Sequence, residues 1–245
     1  MENPFSSTRQ ESFRTQTQKQ LLSEDRARTF MRQVYTTMAL GLAITGLTAW
    51  FVANNEALVY FFFSGIMKWI VLFAPLAIFF YVVSRLERMS FNQASIAFAL
   101  YSLTMGITFS VYFFVFDVET IWRVFLITAG TFGAMSLVGL TTKIDLSQFR
   151  SVLIMGLIGV AIALVVNLFL ASENLDYIIS IVAVLVFSGL IAYKSQNLME
   201  LGSRIEHETD NSRKMALFGA FTLYLSFINL FIFMLRLFAG GGRNE

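Results

Sequence analysis

VLIMGLIGVAIALVVNLFLA, residues 152–171, runs for twenty positions without Asp, Glu, Lys or Arg. About 20 apolar residues are enough for an α-helix to cross a hydrocarbon layer of about 30 Å. The whole chain carries only 14% charged residues, compared with about 25% in typical soluble domains. The segment therefore predicts a transmembrane helix, and the composition predicts an integral membrane protein.

Six further segments are apolar over a similar length, and they cover residues 34–53, 67–84, 91–116, 124–140, 177–193 and 216–238. Because these segments use nearly all of the chain after residue 33, no room is left for a second folded domain. We expect an all-α integral membrane protein with one seven-transmembrane-helix bundle over residues 34–238. Residues 1–33 are rich in Ser, Thr, Gln and Arg and predict a mostly disordered tail, and residues 239–245 form a short C-terminal tail.

The orientation of the bundle follows from its lysines and arginines. If the N-terminus is cytoplasmic, fourteen of the eighteen Lys and Arg residues lie in the tail and in the loops on the cytoplasmic side. Cytoplasmic segments of membrane proteins carry such an excess of positive charge. The count predicts a cytoplasmic N-terminus and an external C-terminus, and a bacterial inner membrane as the location.

Local signals mark where several helices begin. Ser90 with Gln93, and Asp145 with Gln148, have the spacing of capping boxes. Pro75 lies in the middle of the second segment, where it removes one backbone hydrogen bond and is expected to kink the helix.

The fourth segment contains a series of small residues, namely Ala129, Gly130, Gly133, Ala134 and Gly139. Small side chains let neighbouring helix backbones approach closely in a membrane. The series predicts a close helix contact and a central position for this helix.

The residue inventory excludes several chemistries. The chain has no cysteine, and its one histidine, His207, lies in a polar segment, so thiolate chemistry, zinc sites and Ser-His-Asp catalysis are not expected. No Asp or Glu lies within the seven segments, whereas calcium sites normally use carboxylate oxygens. We expect a protein that is not an enzyme and has no catalytic residue, no metal site, no cofactor and no nucleic acid partner.

Polar residues inside the segments leave two interpretations open. Asn229, Ser188 and Thr222 are candidates for lining a pore, and the alternative is that they form hydrogen bonds between helices. Lys194 ends the sixth segment, where a lysine can extend its ammonium to the phosphate layer of the membrane lipids. A Ser-Lys hydrolytic dyad would need an uncharged lysine and an oxyanion hole, and the sequence shows neither.

Five stretches in this order resemble the Bax inhibitor-1, or transmembrane Bax inhibitor motif, family: FMRQVYTTMALGLAITGLTAW (30–50), SRLERMSFNQA (84–94), TFGAMSLVGLTTKIDLSQF (131–149), FSGLIAYKSQ (187–196) and LYLSFINLFIFMLRLF (223–238). The resemblance implies a bundle whose seventh helix is central, and a pH-sensitive calcium leak across the membrane. It also implies a latch on the cytoplasmic side, in which aspartates on the sixth and seventh helices share a proton beside an arginine near the second helix.

This chain departs from the family pattern at both aspartate positions. Lys194 and Ser226 stand where the resemblance places the two acids, and Arg85 matches the arginine. Such a set repels calcium, and neither replacement titrates as a carboxylate. The resemblance therefore favours a passive calcium or other cation leak with an altered latch. The alternative is a non-transporting regulator that binds a membrane-anchored AAA protease or another membrane protein through residues 1–33 and 194–214.

Overall fold

A computed structural model describes the backbone of residues 4–85, 88–205, 207 and 209–241, and the side chains of residues 21–85, 88–205, 207 and 209–238. Within this part of the chain the regular structure is entirely helical. The helices are α1 (Pro4–Ala53), α2 (Glu56–Phe63), α3 (Met67–Arg85), α4 (Phe91–Phe109), α5 (Tyr112–Val115), α6 (Val118–Thr141), a 3₁₀ turn (Leu146–Phe149), α7 (Arg150–Leu170), α8 (Glu173–Arg204) and α9 (Asp210–Gly241).

The predicted class of fold is confirmed. Seven helical spans of the described chain are long and apolar enough to cross a membrane. Five of them lie within α1, α3, α6, α8 and α9, one combines α4 with α5, and one combines the 3₁₀ turn with α7. The helix α3 runs without interruption through Pro75, which is buried. The protein is an all-α integral membrane protein.

The seventh span occupies the centre of the bundle. Within the most apolar 18-residue stretch of each span, 72% is buried in the span of α9 but only 6% in the span that contains α7. Most residues of α7 therefore face outward. Phe221 and Tyr224 of α9 form edge-to-face ring contacts with Phe98 and Tyr101 of α4. The core is thus built around one face of α9, and the expected central position of the seventh helix is confirmed.

Polar side chains cap the first turns of α4, α6 and the 3₁₀ turn. The predicted capping box of α4 is present, since the Ser90 hydroxyl accepts a bond from the Gln93 N–H and the Gln93 side chain accepts one from the Ser90 N–H. Asp117 caps α6, where the N–H and hydroxyl of Thr120 hold the pKa of the Asp117 carboxyl below its usual value. Asp145 caps the 3₁₀ turn through the N–H of Ser147.

Where the sequence predicts a mostly disordered tail over residues 1–33, the structure describes a helix, α1, that begins at Pro4. Ala27, Phe30 and Met31 within this tail are buried. Phe30 packs so closely on Gly202 of α8 that a Cβ atom at position 202 would lie 2.9 Å from the Phe30 Cβ atom. Residues 27–31 therefore belong to the packed bundle, where Phe30 lies against the end of α8. Residues 1–3 lie outside the described part.

The predicted end of the sixth span is also corrected. It was expected at Tyr193, followed by a polar loop over residues 194–214, whereas α8 continues to Arg204 and α9 begins at Asp210. Leu198 and Gly202 in this extension are buried. Their packing against other helices stabilises the helix even though the segment is polar. The connection between α8 and α9 is therefore reduced to residues 205–209. The last four residues of the predicted C-terminal tail, 242–245, lie outside the described part, and α9 extends to Gly241.

Only part of the small-residue series in the fourth span serves helix packing. An added Cβ atom at Gly139 would lie 2.1 Å from the carbonyl oxygen of Ala192 in α8, whereas added Cβ atoms at Gly130 and Gly133 would meet nothing within 4 Å. The close contact is therefore confined to the end of α6, and the predicted central position of this helix is wrong because α9 is more deeply buried.

Candidate functional site

Three consecutive residues of α8 connect this helix to its neighbours. They are Lys194, Ser195 and Gln196, and they lie near the end of the bundle at which α3, α6 and α8 finish, here named the basic end after its exposed Arg85 and Arg150. Successive residues of an α-helix point about 100° apart. The three side chains therefore reach three different parts of the structure.

Lys194 connects α8 to the central helix α9. Its Nζ atom donates one hydrogen bond to the Ser226 Oγ atom at 2.8 Å and another to the backbone carbonyl oxygen of Thr222 at 3.1 Å. Ser226 is 1% exposed, so the bridge lies inside the bundle. The Ser226 hydroxyl donates in turn to the same Thr222 oxygen. An ammonium and two oxygens thus form a closed triangle between the two helices.

The bridge is held by neutral oxygens only. Among the described residues, no Asp or Glu forms an ion pair with Lys194. An ammonium inside a membrane protein is costly unless protein groups or water replace its hydration. The two hydrogen bonds offset part of this cost, but no counter-charge pairs with the ammonium among the residues that the structure describes.

Ser195 links α8 to two more helices. The hydroxyl groups of Tyr35 in α1, Ser136 in α6 and Ser195 lie within hydrogen-bond distance of one another, at 2.9, 2.8 and 3.3 Å. Ser195 is fully buried and Ser136 is 5% exposed. This hydroxyl cluster ties α1, α6 and α8 together directly beside the lysine bridge.

Gln196 holds the loop that precedes α7. Its Oε1 atom accepts a bond of 2.7 Å from the N–H of Leu146, and its Nε2 atom donates a bond of 2.8 Å to the carbonyl oxygen of Ile144. The side-chain amide therefore satisfies two backbone groups of the connection between α6 and α7.

A cavity of about 690 Å³ lies between α8, α9 and the start of α7 at the basic end. Lys194 and Thr222 belong to its deep end, and Arg150, Asn197 and Asn211 form its exposed mouth. Thr222 follows Asn211 in the α9 wall by eleven positions, or about 16 Å at 1.5 Å per residue. The lysine bridge therefore lies beside this cavity, about 16 Å along α9 from the exposed Asn211.

The structure brings together two of the three predicted latch residues. Lys194 and Ser226 are in direct contact, whereas Arg85 is exposed and lines a separate cavity of about 460 Å³ with Tyr81, Arg88 and Gln93. The helix α3, which ends at Arg85, packs chiefly on α2 and α4. The expectation that Arg85 faces Lys194 is therefore not met, because α3 ends away from the contact of α8 with α9.

The three predicted pore-lining residues have different surroundings. Thr222 lines the cavity and accepts the lysine bond through its backbone oxygen. The amide of Asn229 donates to the Leu225 carbonyl of its own helix. Ser188 is half-buried and does not belong to the lining of this cavity as described. Only Thr222 joins the latch.

Tyr35, Ser136 and Ser195 were missed by the sequence analysis. The sequence contained part of the information that was needed. Ser136 lies in the apolar run of α6 and Ser195 follows Lys194 directly, and a buried serine hydroxyl is costly unless it has a hydrogen-bond partner. Their mutual contact depends on residues separated by 101 and 160 positions, which no local pattern shows.

Known proteins resemble this chain over most of its length. A family model described as inhibitor of apoptosis-promoting Bax1 matches residues 27–244. The inner membrane protein YbhL of Escherichia coli (strain K12) is 42% identical over 212 residues, which cover 86% of this chain and 91% of YbhL. The uncharacterized protein RP147 of Rickettsia prowazekii is 37% identical, with 94% of this chain and 97% of its own length covered. An uncharacterized protein of Borreliella burgdorferi is 36% identical, with coverage of 94% and 98%.

Proposed function

Because the chain belongs to the Bax inhibitor-1 family of membrane proteins, we propose that it is a passive pathway for calcium or another cation, closed by a lysine latch instead of an aspartate pair. The observation that carries this proposal is the 2.8 Å hydrogen bond between Lys194 and Ser226. These are the two positions that the resemblance assigns to the acids, and a latch requires them to touch.

The charge of the proposed latch would keep divalent cations out of the pathway. The cavity that leads to the latch is lined by Lys194, Lys214 and Arg150, and its described lining contains no Asp or Glu. Calcium normally binds several oxygens that include carboxylates. A calcium ion in this cavity would meet three cations and no acid, so it is repelled before it reaches the bridge.

The lysine-serine contact does not favour hydrolytic chemistry. In a Ser-Lys dyad the serine hydroxyl gives its proton to an uncharged amine. Here the direction is reversed, because the Lys194 amine donates to Ser226 and the Ser226 hydroxyl donates to the Thr222 carbonyl. The geometry supports a structural latch and a protein that is not an enzyme.

Calcium flux through the wild-type protein is expected to be low and to lack the pH dependence of a carboxyl pair. The protein is reconstituted into liposomes that contain a calcium-sensitive dye, and dye signals are compared at pH 6, 7 and 8. The latch lacks the two carboxyl groups whose shared proton would respond to acid. The Lys194→Met variant, which keeps a long side chain without the ammonium, should leak several-fold faster.

Ser188→Ala is the matched control for Lys194→Met, because Ser188 is a half-buried polar residue of the same helix outside the described cavity lining. Wild-type flux that changes about tenfold between pH 6 and pH 8, as expected of a carboxyl pair, would contradict the lysine latch. If neither wild type nor Lys194→Met conducts at any of the three pH values, the passive pathway itself is wrong.

A second function, regulation of another membrane protein, is favoured by the length of α1. This helix covers 50 residues, or about 75 Å at 1.5 Å per residue, whereas crossing the hydrocarbon layer needs about 30 Å. The excess lies at the basic end, which the count of lysines and arginines predicts to be cytoplasmic. Leu21 and Leu22 on this extension are 58% and 52% exposed, so it offers apolar contacts to a partner such as a membrane-anchored AAA protease.

Deletion of residues 2–22, which removes Leu21 and Leu22, is expected to abolish co-purification of such a protease with the protein after crosslinking in membranes. The deletion spares Phe30 and Met31, which are buried in the bundle, so the variant should remain monodisperse in gel filtration. Equal recovery of the protease with a folded, truncated protein would exclude this surface as the docking site.

A further inference from the structure

Basic side chains line the cavity at the basic end, and two of them, Arg150 and Lys214, take no part in the hydrogen bonds of the latch. Arg150 is exposed at its mouth, Lys214 is half-buried along its wall, and Lys194 lies at its deep end. The described ion pairs of the protein join other residues and include none of these three. Three cations therefore line one cavity that has no carboxylate in its described lining.

We propose that this cavity binds the phosphate group of an anionic phospholipid. A phosphate oxygen accepts charge-assisted hydrogen bonds from lysine and arginine, and it supplies the negative charge that the described lining lacks. Basic pockets between transmembrane helices on the cytoplasmic side are suited to lipid headgroups. The proposal does not depend on whether the pathway conducts ions.

The walls of the cavity fit the remainder of a lipid molecule. Between the cations lie Leu198, Leu201, Met215 and Phe218, which provide an apolar surface. A volume of about 690 Å³ lies in the range of about 300–1,000 Å³ typical of ligand sites with mostly apolar walls and a few polar groups. An inorganic anion would use only the charged part of this surface.

The position of the cavity gives a lipid access to it. Lys194 follows the first residue of α8 by 21 positions, or about 30 Å along the helix axis, which is the thickness of the hydrocarbon layer. The deep end of the cavity therefore lies near the level of the lipid phosphates. Arg150 is the first residue of α7. Only 6% of the most apolar stretch of this span is buried, the lowest share among the seven spans. The mouth of the cavity therefore borders the helix that is most exposed to lipid.

The test measures thermal unfolding of the full-length protein in a neutral detergent with added phosphatidylglycerol or phosphatidylcholine of identical acyl chains. Phosphatidylglycerol should raise the unfolding temperature at lower lipid concentration than phosphatidylcholine. Arg150→Gln with Lys214→Gln should weaken this response about thirtyfold, since each basic residue near an anionic lipid contributes about a factor of five to ten. Lys194 is kept, so the latch is unchanged.

Lys143→Gln with Arg204→Gln is the matched control. It removes the same charge from the same end of the bundle, at two exposed residues outside the described lining. The control should keep the preference for phosphatidylglycerol, and native mass spectra should show bound phosphatidylglycerol in wild type and control but not in the cavity variant. Equal responses to both lipids, an equal loss in the control, or full stabilisation by inorganic phosphate alone would overturn the proposal.

Discussion

Replacing Lys194 and Ser226 together with aspartate should make calcium flux through the protein depend on pH, with a change of about tenfold between pH 6 and pH 8. The two side chains are in contact in the structure, so two carboxyl groups placed there would lie within a few ångströms of each other. Two carboxylates at that distance do not ionise independently, and the loss of the second proton moves towards neutral pH.

The direction of the effect follows from the charge of the pair. At pH 6 the two carboxyl groups share a proton, and the resulting hydrogen bond holds α8 to α9. At pH 8 both are ionised, so they repel each other and attract calcium. Flux should therefore rise with pH in the double variant, as measured with the same calcium-sensitive dye in liposomes.

The single variants Lys194→Asp and Ser226→Asp separate this effect from simple loss of the latch. Each contains one carboxyl group and cannot form the proton-sharing pair, so neither should show the roughly tenfold change in flux between pH 6 and pH 8. A double variant that conducts equally at pH 6, 7 and 8 would show that positions 194 and 226 do not control the pathway.

Replacing Gly139 with alanine should lower the free energy of unfolding by about 3 kcal/mol, at the upper end of the usual cost of overpacking. The new Cβ atom would lie 2.1 Å from the carbonyl oxygen of Ala192. A backbone oxygen within a helix cannot move aside as a flexible side chain can. The helices α6 and α8 must therefore separate, which also strains the bond between Ser136 and Ser195 one turn away.

The measurement is thermal unfolding in detergent, with an expected fall of about 6–12 °C in the melting temperature for a chain of this size. Gly133→Ala is the matched control, because it lies in the same helix and its new Cβ atom would meet nothing within 4 Å. Alanine is a better helix former than glycine by about 1 kcal/mol, so the control should be unchanged or slightly more stable. An equal loss of stability in both variants would contradict the packing argument.

The membrane spans could be predicted because each is recognised from the hydrophobicity of consecutive residues in one segment. A run of about 20 apolar residues indicates a membrane helix wherever its neighbours lie, and all seven predicted spans are present. The Ser90 capping box was predictable for the same reason, since its two partners are three residues apart. The extension of α8 to Arg204 was not, because a polar segment folds into a helix there only when it buries Leu198 and Gly202 against other helices.

The candidate site was predictable only in part. The resemblance identified Lys194 and Ser226 as a pair, and the structure places them in contact. It also assigned Arg85 to the pair, but the end of α3 lies at a separate cavity. The hydroxyl cluster of Tyr35, Ser136 and Ser195 had no counterpart in the sequence interpretation, because its members come from three helices.

By itself the sequence determined that this protein is a seven-helix membrane bundle of the Bax inhibitor-1 family, and that a lysine and a serine replace its two acids. That Lys194 forms a bridge between α8 and α9 could be seen only once the helices were packed together. Its contact with Ser226 and Thr222, and the cavity lined by Arg150 and Lys214, depend on how far α8 and α9 are rotated and shifted against each other. Apolar length is a property of one segment, whereas a bridge between helices requires two segments at the same depth and facing the same way.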